Sequence, residues 1–397
     1  MSDFQAMHVI EALRSGVPSR AVGAYFSEAR PAMLKKIANR LEETAGGSSG
    51  GMIIRGKYGE GKTHLLNTVF SMASDAGMAV SYVSLGKETP LNNLHQLYRK
   101  IIANTYLPGA AQPGFRQKLE EMTPGSGVAG ELLDFAATGL ETDKIYHLLK
   151  AFLHSQDDEE RNLYLGDLEG DFISEAIIRK GYRRVMGKAA NIERKFSKTK
   201  HAMDYYSFIS VFFRRIGLNG WVILFDEAEL IGRMGKNARQ KCYANLHRFL
   251  QPGNRLENVF ALFAFSASYT EDVIDKKHEF DNAESFYADD SAAVKKVKAV
   301  LNAIIDAPEL ASLTREEILQ TLASIQSFHG RAYGWHPQVP PETVYANTEA
   351  GGYLLRTKLR AAIEFFDQLY QYGEAGKVRI TELGEESFEE DVPELPD

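Results

Sequence analysis

The sequence predicts an α/β protein with a parallel five-strand core, a large helical insertion and a C-terminal helical lid. Three observations carry this. Residues 52–85 run as a short apolar stretch, a glycine-rich turn, a helical pattern and a second apolar stretch, the order that opens a parallel sheet. Residues 221–225 (WVILF) and 259–265 (VFALFAF) are apolar without alternation, as strands covered on both faces are. Residues 107–217 separate the two halves of that sheet with segments of helical character.

Taken in chain order, residues 4–16 and 30–44 carry apolar positions at helical spacing: Phe4, Met7, Ile10 and Leu13, then Leu34, Ile37 and Leu41. The run Gly46-Gly47-Ser48-Ser49-Gly50-Gly51 breaks the chain before the first strand at 52–54. Residues 65–76 are a predicted helix closed by Gly77, residues 78–85 a second strand and residues 91–106 a helix. The insertion holds an acidic stretch, Asp157-Asp158-Glu159-Glu160, and then a basic one. Sheet signals resume at 221–225 and 259–265, with 297–305 as the fifth strand, and 307–372 is helical. This gives an N-terminal helical segment (1–50), a first part of the core (51–106), the insertion (107–217), a second part of the core (218–306), the lid (307–381) and an acidic tail expected to be disordered (382–397).

At 397 residues the chain exceeds what one hydrophobic core usually serves. Its 44% apolar and 25% charged residues exclude a collagen-like, disordered or membrane-bundle class. One cysteine, Cys242, excludes an internal disulfide and fits a reducing compartment. The first residues show no leader pattern, and no run of about 18 apolar residues offers a membrane span, so a cytoplasmic location without membrane contact is expected. The formal charge of −7 argues against a nucleic-acid partner until its distribution is read. The tail 382–397 holds eight carboxylates and no Lys or Arg, and setting it aside turns −7 into +1 for residues 1–381.

Residues Gly56-Lys57-Tyr58-Gly59-Glu60-Gly61-Lys62-Thr63 complete the pattern G-x-x-x-x-G-K-[ST], set between a strand and a helix, with His64 next in the stretch. Glycines let backbone N–H groups turn inward around phosphates, and the helix start adds its positive end. A lysine at the position of Lys62 meets the β and γ phosphates of ATP, and a hydroxyl at Thr63 ligates Mg²⁺. A nucleotide site also needs an acidic strand end, which Asp226-Glu227 supplies after the apolar run 222–225. Asp226 would hold the metal through water, and Glu227 would polarise an attacking water as general base. That pairing favours ATP hydrolysis over phosphoryl transfer to a small molecule.

Further positions follow from the same layout. Ser266 or Ser268 ends the next strand, as a γ-phosphate sensor or as a capping serine. Arg356 and Arg360 share a face at the start of the last helix, either reaching back to the phosphate or solvated. Neither a zinc-ligand spacing nor an HExxH or G-x-S-x-G pattern occurs, which leaves metalloprotease and serine-hydrolase chemistry unsupported.

The stretch Glu11-Ala12-Leu13-Arg14-Ser15-Gly16-Val17-Pro18, followed by the phosphate loop, resembles the opening of the BREX-system ATP-binding domain family of bacterial phage-defence islands, which includes BrxD-like proteins. Phe225-Asp226-Glu227-Ala228-Glu229, Phe328-His329-Gly330-Arg331-Ala332-Tyr333-Gly334-Trp335, and Leu355-Arg356-Thr357-Lys358-Leu359-Arg360 with Asp367 extend the resemblance over most of the chain. The resemblance implies an AAA+-like P-loop NTPase related to origin-recognition proteins, acting on DNA beside a defence-system helicase. It implies Lys62 and Thr63 as the phosphate-loop pair, Asp226 and Glu227 as metal and base pair, Ser268 as first sensor and Arg356 as lid sensor. One departure is that residues 269–298, where such relatives often carry an arginine finger for a neighbouring copy, contain no Arg; Arg248 and Arg255 are the remaining candidates.

The insertion carries the feature that points to DNA. Between residues 179 and 200 stand Arg179, Lys180, Arg183, Arg184, Lys188, Arg194, Lys195, Lys198 and Lys200 against Glu193 alone, with Tyr182 and Phe196 interleaved. Such a stripe suits phosphate contacts, a solvated face, or the acidic tail of the same chain. Two functions stay open: a DNA-associated ATPase, which could self-assemble, and a slow-turnover nucleotide-dependent switch or scaffold that assembles a partner protein without acting on DNA. About 90 residues remain after the predicted last strand, too few for the second motor domain of a helicase, given typical domain sizes.

Overall fold

The computed structural model describes residues 3–15, 30–348, 355–378 and 380. Helices α1 (Asp3–Ser15) and α2 (Pro31–Ala45) precede β1 (Gly50–Gly56), α3 (Lys62–Asp75), β2 (Ala79–Ser84), α4 (Leu94–Ala103) and the short β3 (Thr105–Tyr106). The insertion brings α5 (Arg116–Glu120), α6 (Gly127–Thr138), α7 (Lys144–His154), α8 (Asp158–Gly166), α9 (Glu175–Met186), α10 (Lys198–His201) and α11 (Met203–Arg215), with a π-helical turn at Asp167–Asp171. There follow β4 (Trp221–Asp226), α12 (Lys236–Leu250), β5 (Val259–Ser266), α13 (Glu279–Phe286) and α14 (Ser291–Ile305), then α15 (Arg315–Tyr333), α16 (Pro341–Thr348) and α17 (Leu355–Tyr372).

The five strands form one sheet in the order β1-β5-β4-β2-β3, parallel except for the β2–β3 pair. Its central strands alternate between two cores, as the pleat requires. Trp221, Ile223 and Phe225 of β4 and Ala261, Phe263 and Phe265 of β5 face one core, shared with α4, α11, α12 and α14. Val222, Leu224, Leu262 and Ala264 face the other, shared with α2 and α3. Every residue of β4 and β5 is buried, which explains their unbroken apolar runs. Phe225 and Phe263 stack across the pair at 4.3 Å. The insertion continues the first core: Phe213 of α11 meets Trp221 edge-on at 5.6 Å.

The structure corrects two expectations. Residues 297–305 are not a strand but the end of α14, and the fifth strand is instead Thr105–Tyr106, antiparallel at the opposite edge. Val297, Val300, Leu301 and Ile304 are buried at helical spacing while Lys295, Lys296 and Lys298 lie off that face, so the period is that of a helix. Asp290 caps the start by accepting from the Ala293 N–H at 2.9 Å. On the outer side of β1 a single rung remains: Arg55 N–H donates to Pro308 O at 3.0 Å, and Leu310 N–H to Arg55 O at 2.7 Å. The helix expected over 91–106 is shorter, Leu94–Ala103, because the chain leaves it to form β3.

Helix α1 packs with the C-terminal helices rather than with the sheet: Ile10 is buried with Ile318, Leu322, Ile325 and Phe366. Among the described residues no helix is long and apolar enough to cross a membrane. The tail 382–397 and the Gly16-Val17-Pro18 stretch lie outside the described residues.

Candidate nucleotide-binding site

The phosphate loop leaves β1 at Gly56, whose partner in β5 is Ser266, and the Ala267 N–H donates to Gly56 O at 3.1 Å. Gly59 and Gly61 adopt φ of 76° and 88°, a left-handed backbone that glycine takes without strain and that folds the loop back on itself. Gly61 is also the residue before α3, so the positive end of that helix adjoins the loop. Lys62 is buried under the loop, its Nζ donating to Gly56 O at 3.0 Å and Lys57 O at 3.5 Å. Its ammonium lies 3.8 Å from Oε1 of Glu229.

The acidic side comes from β4. Asp226 is buried at its end, opposite Ser84 of β2, and both its oxygens are engaged: Tyr82 Oη donates to Oδ2 at 2.7 Å and the Glu227 N–H to Oδ1 at 2.9 Å. Tyr82 also hydrogen-bonds the Thr63 side chain, so one phenol bridges the two residues expected at the metal. Burial, and then the Asp226 charge, push the Tyr82 phenol well above its ordinary pKa, which keeps it a donor. A hydroxyl and a carboxylate are hard oxygen donors of the kind Mg²⁺ takes when water and phosphate fill its other positions, so Thr63 and Asp226 fit that ion. Glu227 follows with φ 55°, its side chain exposed. The 3₁₀ turn Ala228–Arg233 then carries Glu229 to Lys62, and burial raises its carboxyl above the usual range although Lys62 opposes this.

The remaining predicted residues are less closely gathered. Ser266 and Ser268 lie 3.1 Å apart through their hydroxyls at the end of β5, beside the start of the phosphate loop. His64 is half-buried in the first turn of α3. Leu355, the first residue of α17, reaches within 4.0 Å of where a β-carbon on Gly61 would sit, so this helix starts against the loop. Arg356 beside it is exposed and makes no ion pair among the described residues, while Arg360 Nε donates to Arg14 O at 3.2 Å. Arg248 is exposed; Arg255 is held by Glu141 and Asp204, each at 3.2 Å.

Three residues absent from the predicted set belong to this geometry: Arg30, Tyr82 and Glu229. Arg30 precedes Pro31 with a left-handed backbone, φ 61°, and its Nη2 donates to Glu60 O at 2.6 Å while Nε donates to Ala311 O at 3.1 Å. Burial holds its guanidinium below its ordinary pKa, against the pull of Glu60 and Glu317. The Glu60 carboxylate accepts from Ser312 Oγ at 3.0 Å. Pro31 at a helix start was the one local signal near Arg30. Glu229 stood inside a quoted motif without a role, and Tyr82 had no signal.

The basic stripe divides into two sets. Arg179 donates to Ala190 O and Ile192 O at 2.9 and 3.2 Å, Arg184 pairs with Glu160, and Arg194 binds Asp143 and the carbonyls of Leu140 and Ala137. Arg179 and Arg194 fasten the loop between α9 and α10, and Arg184 ties α9 to α8. Lys180, Arg183, Lys188, Lys195, Lys198 and Lys200 are exposed and form no ion pair among the described residues.

A family model described as BREX system ATP-binding protein BrxC/D matches residues 1–121 and 147–375. None of the curated proteins matches the chain. Among solved structures, the Walker-type ATPase of Pyrococcus abyssi superposes with a TM-score of 0.35 at 10% identity, covering 86% of this chain and 68% of that one, a likeness too loose to argue from.

Proposed function

The chain belongs to the BREX system ATP-binding protein BrxC/D family, and from that premise we propose that it hydrolyses ATP in an AAA+-like P-loop site and works on DNA within a cytoplasmic phage-defence complex. The observation that supports this most is the convergence of the phosphate loop with the end of β4, where Tyr82 links Thr63 to Asp226 and Lys62 meets the turn after Glu227. In this reading the loop amides from Gly56 to His64 cradle the phosphates and Lys62 neutralises their charge. Thr63 and Asp226 hold Mg²⁺, which when bound offsets charge on the β and γ phosphates. Glu227 takes a proton from the attacking water, Ser268 senses the γ-phosphate, and Arg356 swings in from the start of α17.

DNA contact falls to the six exposed cations of the stripe, which supply sequence-independent affinity. A helicase-like protein of the same system and further copies of this chain are the proposed partners. One observation favours the alternative, a slow switch that assembles a partner: Arg255, a candidate finger, is tied to Glu141 and Asp204.

The test is the ATPase rate of the wild type and of Glu227→Gln, with and without double- and single-stranded DNA. The expected result is stimulation by DNA in the wild type and a loss of about 10²–10⁴-fold in the variant with ATP binding retained. A wild-type rate unmoved by any DNA favours the switch, and undiminished hydrolysis by Glu227→Gln removes that residue as the base.

A further inference from the structure

Lys62 has a partner that the proposed reaction does not use. An ammonium carries three N–H donors. Two serve the loop's own carbonyls, Gly56 O at 3.0 Å and Lys57 O at 3.5 Å. The remaining charge partner is Glu229, with Oε1 3.8 Å from Nζ and side-chain exposures of only 9% for Lys62 and 16% for Glu229. So enclosed a pair is screened little by water or salt.

Glu229 has few alternatives to that contact. Its Oε2 is buried and accepts no hydrogen bond among the described residues. The other charges that act on it, Asp226 and Glu227, have its own sign. The turn keeps it there: Glu227 is left-handed, and the Leu230 N–H donates to Glu227 O at 3.0 Å, closing the first turn of Ala228–Arg233.

We propose that Glu229 is a positioning residue that competes with the nucleotide's phosphates for Lys62. Its carboxylate occupies the electrostatic place that a phosphate oxygen takes when ATP enters. Once the phosphates claim the ammonium, Glu229 must share Lys62 with them while the nearest side-chain charges, Asp226 and Glu227, have its own sign. Binding is therefore weaker, and release faster, than the phosphate loop alone would give. This rests on the reading of residues 56–63 as the ATP site.

The experiment measures equilibrium binding and dissociation of a fluorescent ATP analogue with Mg²⁺ on the full chain. Glu229→Gln keeps the shape and removes the charge; it is expected to bind about tenfold tighter, or about 1.4 kcal/mol, through slower dissociation. Glu229→Asp draws the charge back by one methylene and should fall between. Equal or weaker affinity in Glu229→Gln overturns the proposal, and if that variant does not fold, Glu229→Asp alone decides, with equal or weaker binding again overturning it. Lys62→Ala separates the two readings. Wild-type binding that is lost in Lys62→Ala, with Glu229→Gln equal to wild type, removes only the role of Glu229. Binding undiminished in Lys62→Ala removes the ATP site at this loop and the proposal with it.

Discussion

Arg14 of the first helix and Asp367 of the last meet across 353 positions of sequence, Nη2 lying 2.7 Å from Oδ1 and Nε 3.2 Å from Oδ2. His329 Nε2 donates to the same Oδ1 at 3.0 Å, and its Nδ1 accepts from Trp335 Nε1 at 2.9 Å. Indole can only donate, so the imidazole proton sits on Nε2, donation runs from Trp335 through His329 to Asp367, and Arg14 donates to the same carboxylate from the other side. Three separate stretches that carried the family resemblance thus turn out to be one clasp between α1, α15 and α17. Asp367→Asn should destabilise the protein by about 1–2 kcal/mol in urea unfolding. Arg14→Lys should recover little of what Arg14→Ala loses, because an ammonium cannot make the two-point contact.

The same clasp predicts a pH response. Burial alone would raise the Asp367 carboxyl, but the His329 and Arg14 hydrogen bonds hold it below its ordinary value. A carboxyl depressed in the folded state contributes stability above the unfolded value near pH 4, and loses it as pH falls through the folded one. Urea midpoints of the wild type should therefore fall more steeply below about pH 4 than those of Asp367→Asn.

Tyr82 predicts an effect on metal dependence. Its hydroxyl fixes Asp226 from β2 and hydrogen-bonds Thr63 as well. Tyr82→Phe keeps the packing and removes the bridge, so both oxygens expected at Mg²⁺ lose their orientation. The Mg²⁺ concentration for half-maximal ATPase should rise by about tenfold or more, with the melting temperature little changed.

Arg30 predicts a loss in nucleotide affinity without a loss of chemistry. It ties Glu60 of the loop to Ala311, which leads into α15. Arg30→Ala should loosen the loop and raise KM for ATP by about tenfold while kcat changes less, the pattern of an interaction that serves binding alone.

How much of this was legible depends on the range of the forces involved. The runs 221–225 and 259–265 reveal strands because burial on both faces excludes polar residues from them, and the phosphate loop reveals itself because backbone geometry demands glycine at Gly59 and Gly61. Residues 297–305 mislead because valine and isoleucine favour strands, although the buried set Val297, Val300, Leu301 and Ile304 follows a helix. Thr105–Tyr106 is too short to carry a pattern. Tyr82 and Arg30 are invisible for another reason: Tyr82 reaches Asp226 only because the strand order sets β2 beside β4, 144 positions apart in sequence, and Arg30 meets Glu60 only because α2 and β1 fold back to bring residues 30 positions apart together. Local sequence carries neither adjacency.

The buried pair Lys144–Asp167, 2.7 Å apart and essentially inaccessible, anchors the insertion. Burial moves both toward neutrality, Asp167 upward and Lys144 downward, while each opposes the shift in the other. Lys144 also lies 4.7 Å from the centre of the Phe196 ring, which stacks on Phe172 in the loop that carries the basic residues. Lys144→Met leaves Asp167 without its cation and should cost about 3–5 kcal/mol, whereas Lys144→Met with Asp167→Asn should recover much of it. Urea unfolding of the two variants checks this.

The division of the basic stripe makes the DNA reading separable from stability. Lys188, Lys195 and Lys200 are exposed and form no ion pair or ring contact among the described residues, whereas Lys198 lies 5.7 Å from the centre of the Phe172 ring, so changing the first three to Glu removes phosphate contacts without removing a structural contact. Arg194 instead holds Asp143, Leu140 O and Ala137 O, and its hydrogen bonds keep the Asp143 carboxyl low against the effect of burial. If the stripe binds DNA, the triple variant should lower affinity at low salt and reduce the slope of log K against log salt by about three. Its melting temperature should stay near wild type. Arg194→Ala should show the reverse, a lower melting temperature with a nearly unchanged salt slope. The acidic tail supplies the last arm: removing residues 382–397 takes away eight negative charges, and if these compete for the same cations the shortened chain should bind DNA more tightly. Equal affinities of the two chains at low salt would exclude that competition, and a triple variant that binds like wild type would move the DNA contact away from this loop.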